Sequence, residues 1–223
     1  MLYYLIFALP ALLFSFWAQW KVKSAYNKYT RVPNRRGISG LEFVQMILPP
    51  LGLQHLKIEG VPGELTDHYD PRDKTLRLSR GVAYGRTVAA LAIVAHETGH
   101  ALQDAHQYAP LKLRGAMVPA VTASAWIAPI LFLAGWFFGV LQLAWLGVIA
   151  FGASLLFALI TLPVELDASR RGLKLLKDFH ALDQDELKGA RAVLTAAALT
   201  YVAALAQVLA TMLYYIFLLR RRD

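Results

Sequence analysis

His96-Glu97-Thr98-Gly99-His100 is the stretch of this 223-residue chain whose residue types and spacing point most directly to chemistry. Residues four apart on an α-helix share a face. Two imidazoles at that spacing can therefore direct ring nitrogens to one point about 2 Å away, the length of a zinc–nitrogen bond. Glu97 is turned about 100° from His96 and flanks the same point, where a carboxylate can take a proton from metal-bound water. Two ligands and a general base thus come from five residues. The plainer alternative is a helix with two surface histidines. Its neighbours argue against that, because Ala89-Ala-Leu-Ala-Ile-Val-Ala95 is apolar all round, and an uncompensated Glu and two His are costly to bury in such a helix.

A catalytic zinc takes three protein ligands and keeps one position for water. The chain has no cysteine, so the third ligand must be His, Asp or Glu. His106 lies six residues beyond His100, but that spacing requires a sharp turn after the second His. Gln103 stands there instead of glycine, and a side chain disfavours the left-handed backbone; otherwise His106 is a solvated helix-end residue. Glu165 is the first ionisable group after 50 uncharged residues and follows Pro163. Its ordinary reading is a helix-start carboxylate favoured by the dipole. Asp167 reads better as a carboxylate that supports a ligand or caps a helix. These three candidates stay open on the residues alone. His55, His68 and His180 read as solvated or hydrogen-bonded loop residues. A transition-state oxyanion would need a further donor, for which Tyr69 or His68 are candidates against an ordinary role in a turn.

The motif needs a helix, and Thr87 to His106 supplies one: it is rich in Ala and free of Pro. Ahead of it, residues 41–48 form a short helix-like run ended by Pro49-Pro50, and Leu56–Val61 alternates as a strand. Tyr69–Lys74 has turn chemistry. Thr75–Ser79 alternates polar and apolar residues, which predicts a half-buried edge strand along which an extended peptide could align by main-chain hydrogen bonds.

These elements are set among apolar runs. The chain is 57% hydrophobic and 17% charged, and no charged residue occurs in 1–20, 115–164 or 192–219. A soluble globular protein is excluded, since about 20 apolar residues already cross the roughly 30 Å hydrocarbon core as a helix. The 50-residue run must cross twice, dividing near Gly135, Gly139 and Gln142. The expected fold is mainly α: a polytopic membrane protein of about four transmembrane helices with a small α+β zincin-like cytoplasmic metalloprotease domain. Its segments would be an N-terminal transmembrane helix (1–20), a cytoplasmic part with the edge strand and motif helix (21–114), a transmembrane hairpin (115–164), a cytoplasmic segment with the third-ligand candidate (165–193) and a C-terminal transmembrane helix (194–219).

The first apolar run precedes its basic cluster, Lys21 to Arg36. That order is the reverse of a cleavable signal peptide and predicts an uncleaved span with its N-terminus outside. Residues 21–114 hold 14 Lys and Arg and residues 165–191 hold 6, against 3 in the tail (Arg220, Arg221 and Arg222). Cytoplasmic loops carry that excess, so both polar segments are expected on the cytoplasmic side of the cell's inner membrane, with some attraction of residues 21–36 to anionic lipid. The net charge of +8 then reflects topology, and no nucleic-acid partner is expected. Transport would call for ionisable groups inside the spans, and the 98 residues of the uncharged runs hold none.

Val94-Ala-His-Glu-Thr-Gly-His-Ala-Leu-Gln103 is preceded by Thr66-Asp-His-Tyr-Asp-Pro-Arg72 and Leu78-Ser79. It is followed by Pro163-Val-Glu-Leu-Asp-Ala-Ser-Arg-Arg171 and Ala198-Leu-Thr-Tyr-Val-Ala203. In these five stretches and their order the chain, from about residue 21 to 219, resembles the neutral zinc metallopeptidases of bacterial membranes, the YugP-like family. The resemblance implies a zinc-dependent membrane peptidase, more distantly similar to heat-shock membrane proteases and CAAX prenyl endopeptidases, which are gluzincins with a Glu third ligand. Matched by residue, it implies His96 and His100 as zinc ligands, Glu97 as the base, Glu165 as the third ligand, and protein or peptide substrates, membrane proteins among them. Those relatives often carry an Asp four residues after the ligand Glu to hold a zinc histidine. Position 169 is Ser here, and Asp167 faces nearly the opposite side of an ideal helix from Glu165. The rival class is a zinc-dependent structural or regulatory membrane scaffold, against which the intact Glu97 counts, since a purely structural site has no need of a base.

Overall fold

Residues 2–221 are described by a computed structural model, with helices throughout and one small sheet; Met1 and the tail residues Arg222 and Asp223 lie outside the described residues. Four of the helices are long and apolar enough to cross a membrane: α1 (Leu2–Tyr29), α5 (Ala109–Phe138), α6 (Leu141–Asp178) and α7 (Gln184–Arg220). Three of them run well past the apolar residues. α1 continues through the basic residues to Tyr29, α6 continues from Pro163 to Asp178, and α7 begins at Gln184. Loss of hydrophobicity is no reason for a helix to end, because Lys, Arg, Glu and Ala are all good helix formers. The polar segment after Glu165 is accordingly helical except for a turn at 179–183.

By its internal contacts the chain forms two compact units. One holds the residues up to Gln19, Ala109–Pro163 and those from Leu199 onward. Within it, α5 and α6 make a hairpin closed by Gly139, whose φ of 73° lets the Val140 N–H reach back to the Gly135 carbonyl at 2.9 Å. The two helices pack backbone to backbone. A β-carbon on Gly135 would lie 2.2 Å from the Ala144 nitrogen, and one on Gly147 2.5 Å from the Phe132 nitrogen. Small residues allow this approach where lipid supplies no hydrophobic drive between helices.

The other unit holds Trp20–Tyr108 and Val164–Ala198. Its sheet contains β1 (Lys57–Val61), β2 (His68–Asp70) and β3 (Thr75–Ser79) in the order β1-β3-β2. β1 runs parallel to β3 with Ile58 opposite Leu76, and β2 runs antiparallel with Tyr69 opposite Leu76. This corrects the expectation for Thr75–Ser79, which is the central strand and has no free edge. Thr75 and Ser79 are buried as fully as its leucines, and Arg77 is half-buried. Ser79 tolerates this because both its N–H (2.6 Å) and its hydroxyl (3.1 Å) are bonded to the Asp67 carboxylate. The turn after β2 is shorter than predicted, since Tyr69 and Asp70 belong to the strand and Lys74 takes the left-handed conformation.

α2 (Gly40–Ile47) starts at a reciprocal cap between Ser39 and Glu42 and ends ahead of Pro49. After the single-turn α3 (Arg80–Ala83), α4 (Val88–Ala105) runs through the core against Phe43, Val44, Ile47, Leu76 and Leu78. Its all-round apolar stretch is buried except at the half-buried Ile93, as its composition requires.

Candidate metal centre

α4 is set by local chemistry at both ends. The Thr87 hydroxyl accepts the Ala90 N–H at its start. At its finish Gln107 is left-handed, with φ of 56°. Tyr108 N–H bonds the Gln103 carbonyl (2.8 Å) and Gln107 N–H the Asp104 carbonyl (3.0 Å), the paired bonds of a Schellman end. A glutamine does take the left-handed position here, but it is residue 107, after His106. Gln103 remains helical.

Gly99, inside the motif, decides how close a second helix can come. A β-carbon there would lie 2.4 Å from the Ala168 carbonyl oxygen, and one on Gly172 would lie 2.9 Å from the backbone of Ala95. α4 and the Val164–Asp178 part of α6 therefore meet through a glycine from each helix. Glu165 and Ser169, one turn apart on α6, face the two histidines.

The result is a cluster of three side chains, two of them from the motif. His96 Nε2 and His100 Nε2 each lie 3.4 Å from the same Glu165 oxygen, Oε2. The imidazole rings stand nearly perpendicular, 4.8 Å apart. His100 and Glu165 are buried and His96 is nearly so. Two ligands bound at about 2.05 Å to a tetrahedral ion are roughly 3.3 Å apart, and both nitrogen–oxygen separations match that figure. Two imidazole nitrogens and a carboxylate oxygen also form the donor set of a zinc site that leaves one position free. The residues fit a divalent metal ion, and His96, His100 and Glu165 are the group that could hold one.

Each remaining ring nitrogen is engaged. His96 Nδ1 is 3.1 Å from Ser169 Oγ, and His100 Nδ1 is 2.9 Å from Gln103 Oε1. Glu97 is buried beside the cluster, where its Oε2 accepts the backbone N–H of Tyr69 in β2 at 3.0 Å. Burial is the largest influence on this carboxyl and raises its pKa above the ordinary value, against the opposite pull of His96 and His100. For His100, burial opposes the charged ring, but the bond to Glu165 and the charge of Glu97 leave the balance above the ordinary imidazole value.

The other candidates stand apart. His106 caps α4 and meets Arg171 at 3.2 Å. Asp167 accepts from Arg171 Nε (2.6 Å) and from Gln103 Nε2 (2.9 Å). The Tyr69 hydroxyl donates to Asp104 at 2.6 Å, and the same Asp104 oxygen takes Lys74 at 2.5 Å. His68 Nδ1 lies 2.8 Å from the Thr66 carbonyl. His55 sits in the exposed loop before β1, and His180 in the turn between α6 and α7. Sequence reasoning missed Gln103 and Ser169. For Ser169 there was a signal, since it stands one turn after Glu165 and so shares its face. For Gln103 there was none beyond its place three residues after His100.

The family model described as "Putative neutral zinc metallopeptidase" matches residues 4–220. The chain is 45% identical over 201 residues to a Bacillus subtilis (strain 168) protein named "Putative membrane protease YugP", covering 90% of this chain and 89% of the relative. No solved structure matches it significantly.

Proposed function

Since the chain belongs to this zinc metallopeptidase family, we propose that it is a multi-pass membrane metalloendopeptidase of the gluzincin type, with a zincin-like catalytic unit. In this reading His96, His100 and Glu165 hold one zinc ion and Glu97 is the general base. The observation that carries it is the meeting of both histidine Nε2 atoms on one Glu165 oxygen at 3.4 Å, beside a buried Glu97. A zinc ion bound there would supply a Lewis acid for the scissile carbonyl and a water acidic enough to lose a proton near neutral pH.

The chain's own residues do the rest. Glu97, held by the Tyr69 N–H, accepts the water proton and passes it to the leaving amine. β2 is an edge strand and its Tyr69 N–H bonds Glu97, so this short strand, rather than the central β3, is the one beside which an extended substrate would align. The Lys and Arg distribution, 20 in the two polar segments against 3 in the tail, supports an N-terminus outside and catalytic segments in the cytoplasm. Substrates would be protein or peptide, membrane proteins among them.

The test compares the purified wild type with Glu97→Gln on an unfolded or membrane-protein substrate in detergent, with zinc content measured for both. Expected are one zinc per chain in each and hydrolysis roughly 10²- to 10⁴-fold slower in the variant. Equal activity would remove Glu97 from the mechanism. Wild type that holds zinc but cleaves nothing would move the reading to a zinc-dependent scaffold.

A further inference from the structure

We propose that Gln103 is the positioning residue of His100, holding its ring in the tautomer whose Nε2 carries a bare lone pair for the metal. The inference rests on the zinc-site reading above and goes beyond it to a residue outside the ligand and base set.

Gln103 is completely buried. Its Nε2 donates to the Val164 carbonyl at 2.8 Å and to Asp167 Oδ2 at 2.9 Å. Both partners are acceptors, and the carboxylate is also gripped by Arg171 Nε at 2.6 Å. The amide can therefore take only one orientation. Turned over, its oxygen would face two acceptors in a buried space. That orientation leaves Oε1, which can only accept, 2.9 Å from His100 Nδ1, so Nδ1 must carry the hydrogen. In the neutral ring Nε2 then has none, and this is the atom directed at Glu165. Arg171, Asp167, Gln103 and His100 thus form a chain in which a carboxylate on α6 acts on the imidazole through an amide. His96 has no such device. Its partner is the Ser169 hydroxyl, which can donate or accept and so selects neither tautomer.

Gln103 also ties α4 to α6, so the experiment must separate packing from hydrogen-bond direction. Full-length protein in detergent would be titrated with zinc in competition with a chromophoric chelator, with zinc content by elemental analysis and helicity by circular dichroism. Gln103→Met keeps the volume and loses the acceptor. It is expected to bind zinc about 10- to 100-fold more weakly at wild-type helicity. The double variant Gln103→Glu with Asp167→Asn restores an acceptor on Nδ1; the introduced carboxyl, protonated in this buried place, gives the Val164 carbonyl its donor, and the introduced amide at 167 donates to that same carboxyl oxygen. This variant is expected to recover most of that loss, which a merely structural role for Gln103 would not produce. Wild-type zinc affinity in Gln103→Met overturns the proposal, as does a folded double variant that binds no better than Gln103→Met. If Gln103→Met fails to fold, the double variant alone decides. Wild type that fails to take up one zinc per chain would overturn the metal-site reading and this assignment with it, whereas a zinc-loaded wild type with an insensitive Gln103→Met overturns this assignment alone.

Discussion

Replacing Gly99 by Ala sets helix propensity directly against tertiary packing. In an isolated helix the change would stabilise by about 1 kcal/mol. In this protein the added β-carbon would lie 2.4 Å from the Ala168 carbonyl oxygen and 3.1 and 3.2 Å from that residue's backbone carbons, whereas ordinary contact begins at 3.4 Å. The obstruction is helical backbone, which has no rotamer to escape into, so α4 and α6 must separate by about 1 Å. Overpacking of this kind costs about 1–3 kcal/mol and offsets or exceeds the propensity gain. Ala168 is one turn from Glu165, so the separation also moves the carboxylate away from both imidazoles, while metal–ligand distances tolerate only about 0.2 Å. If 1–3 kcal/mol of strain falls on the metal-bound arrangement, zinc affinity drops about 5- to 150-fold. The assay is thermal unfolding in detergent with zinc or with excess chelator, together with a chelator competition. Gly115→Ala is the control, because a β-carbon at this position on α5 meets nothing within 4 Å, and it should be neutral or mildly stabilising. A Gly99→Ala protein as stable as wild type, with undiminished zinc affinity, would refute the claim that a glycine contact sets the helix spacing at the site.

Two further outcomes follow from the hydrogen-bond pattern. Tyr69→Phe removes the hydroxyl bonded to Asp104 but keeps the main-chain N–H that holds Glu97; it should cost about 1–2 kcal/mol of stability and leave kcat/KM within a few-fold, whereas a 10²- to 10³-fold loss would make the hydroxyl an oxyanion donor after all. The Asp70 carboxyl is held down at about 2, chiefly by its bond to Arg72, so its contribution is fully present above the ordinary carboxylate range and is lost as pH falls through about 2. Because Arg72 is largely exposed, Asp70→Asn should destabilise by no more than about 1 kcal/mol near pH 6, and denaturant titrations of the two proteins should converge as pH falls toward 2.

What the sequence determined by itself is what depends on neighbours along the chain. Apolar runs long enough to cross a bilayer are visible because the bilayer acts on each segment separately, and four described helices have that character. Histidines one turn apart share a helix face whatever surrounds them, so the aim of His96 and His100 at one point could be read from spacing. Thr87 and Pro49 mark helix limits through their own backbone and side-chain chemistry. The helices run on to Tyr29 and Asp178 and begin at Gln184, beyond the apolar runs, because hydrophobicity falls at the ends of those runs but helix propensity does not.

Tertiary structure decided the rest, because it depends on residues far apart in the chain. Whether Glu165, His106 or Asp167 meets the motif depends on how α6 lies against α4, and that is set by the glycine contacts at Gly99 and Gly172. The alternation of Thr75–Ser79 suits an edge strand as well as a central one. Only the pairing of β1 on one side and β2 on the other, with Asp67 bonded to Ser79, makes it central. Gln103 carries no signal in sequence, because its role comes from three partners supplied by two helices: His100, Val164 and Asp167. A motif can state which atoms share a helix face, but the atoms that complete the site and hold the ring nitrogens in place belong to a second helix brought there by packing.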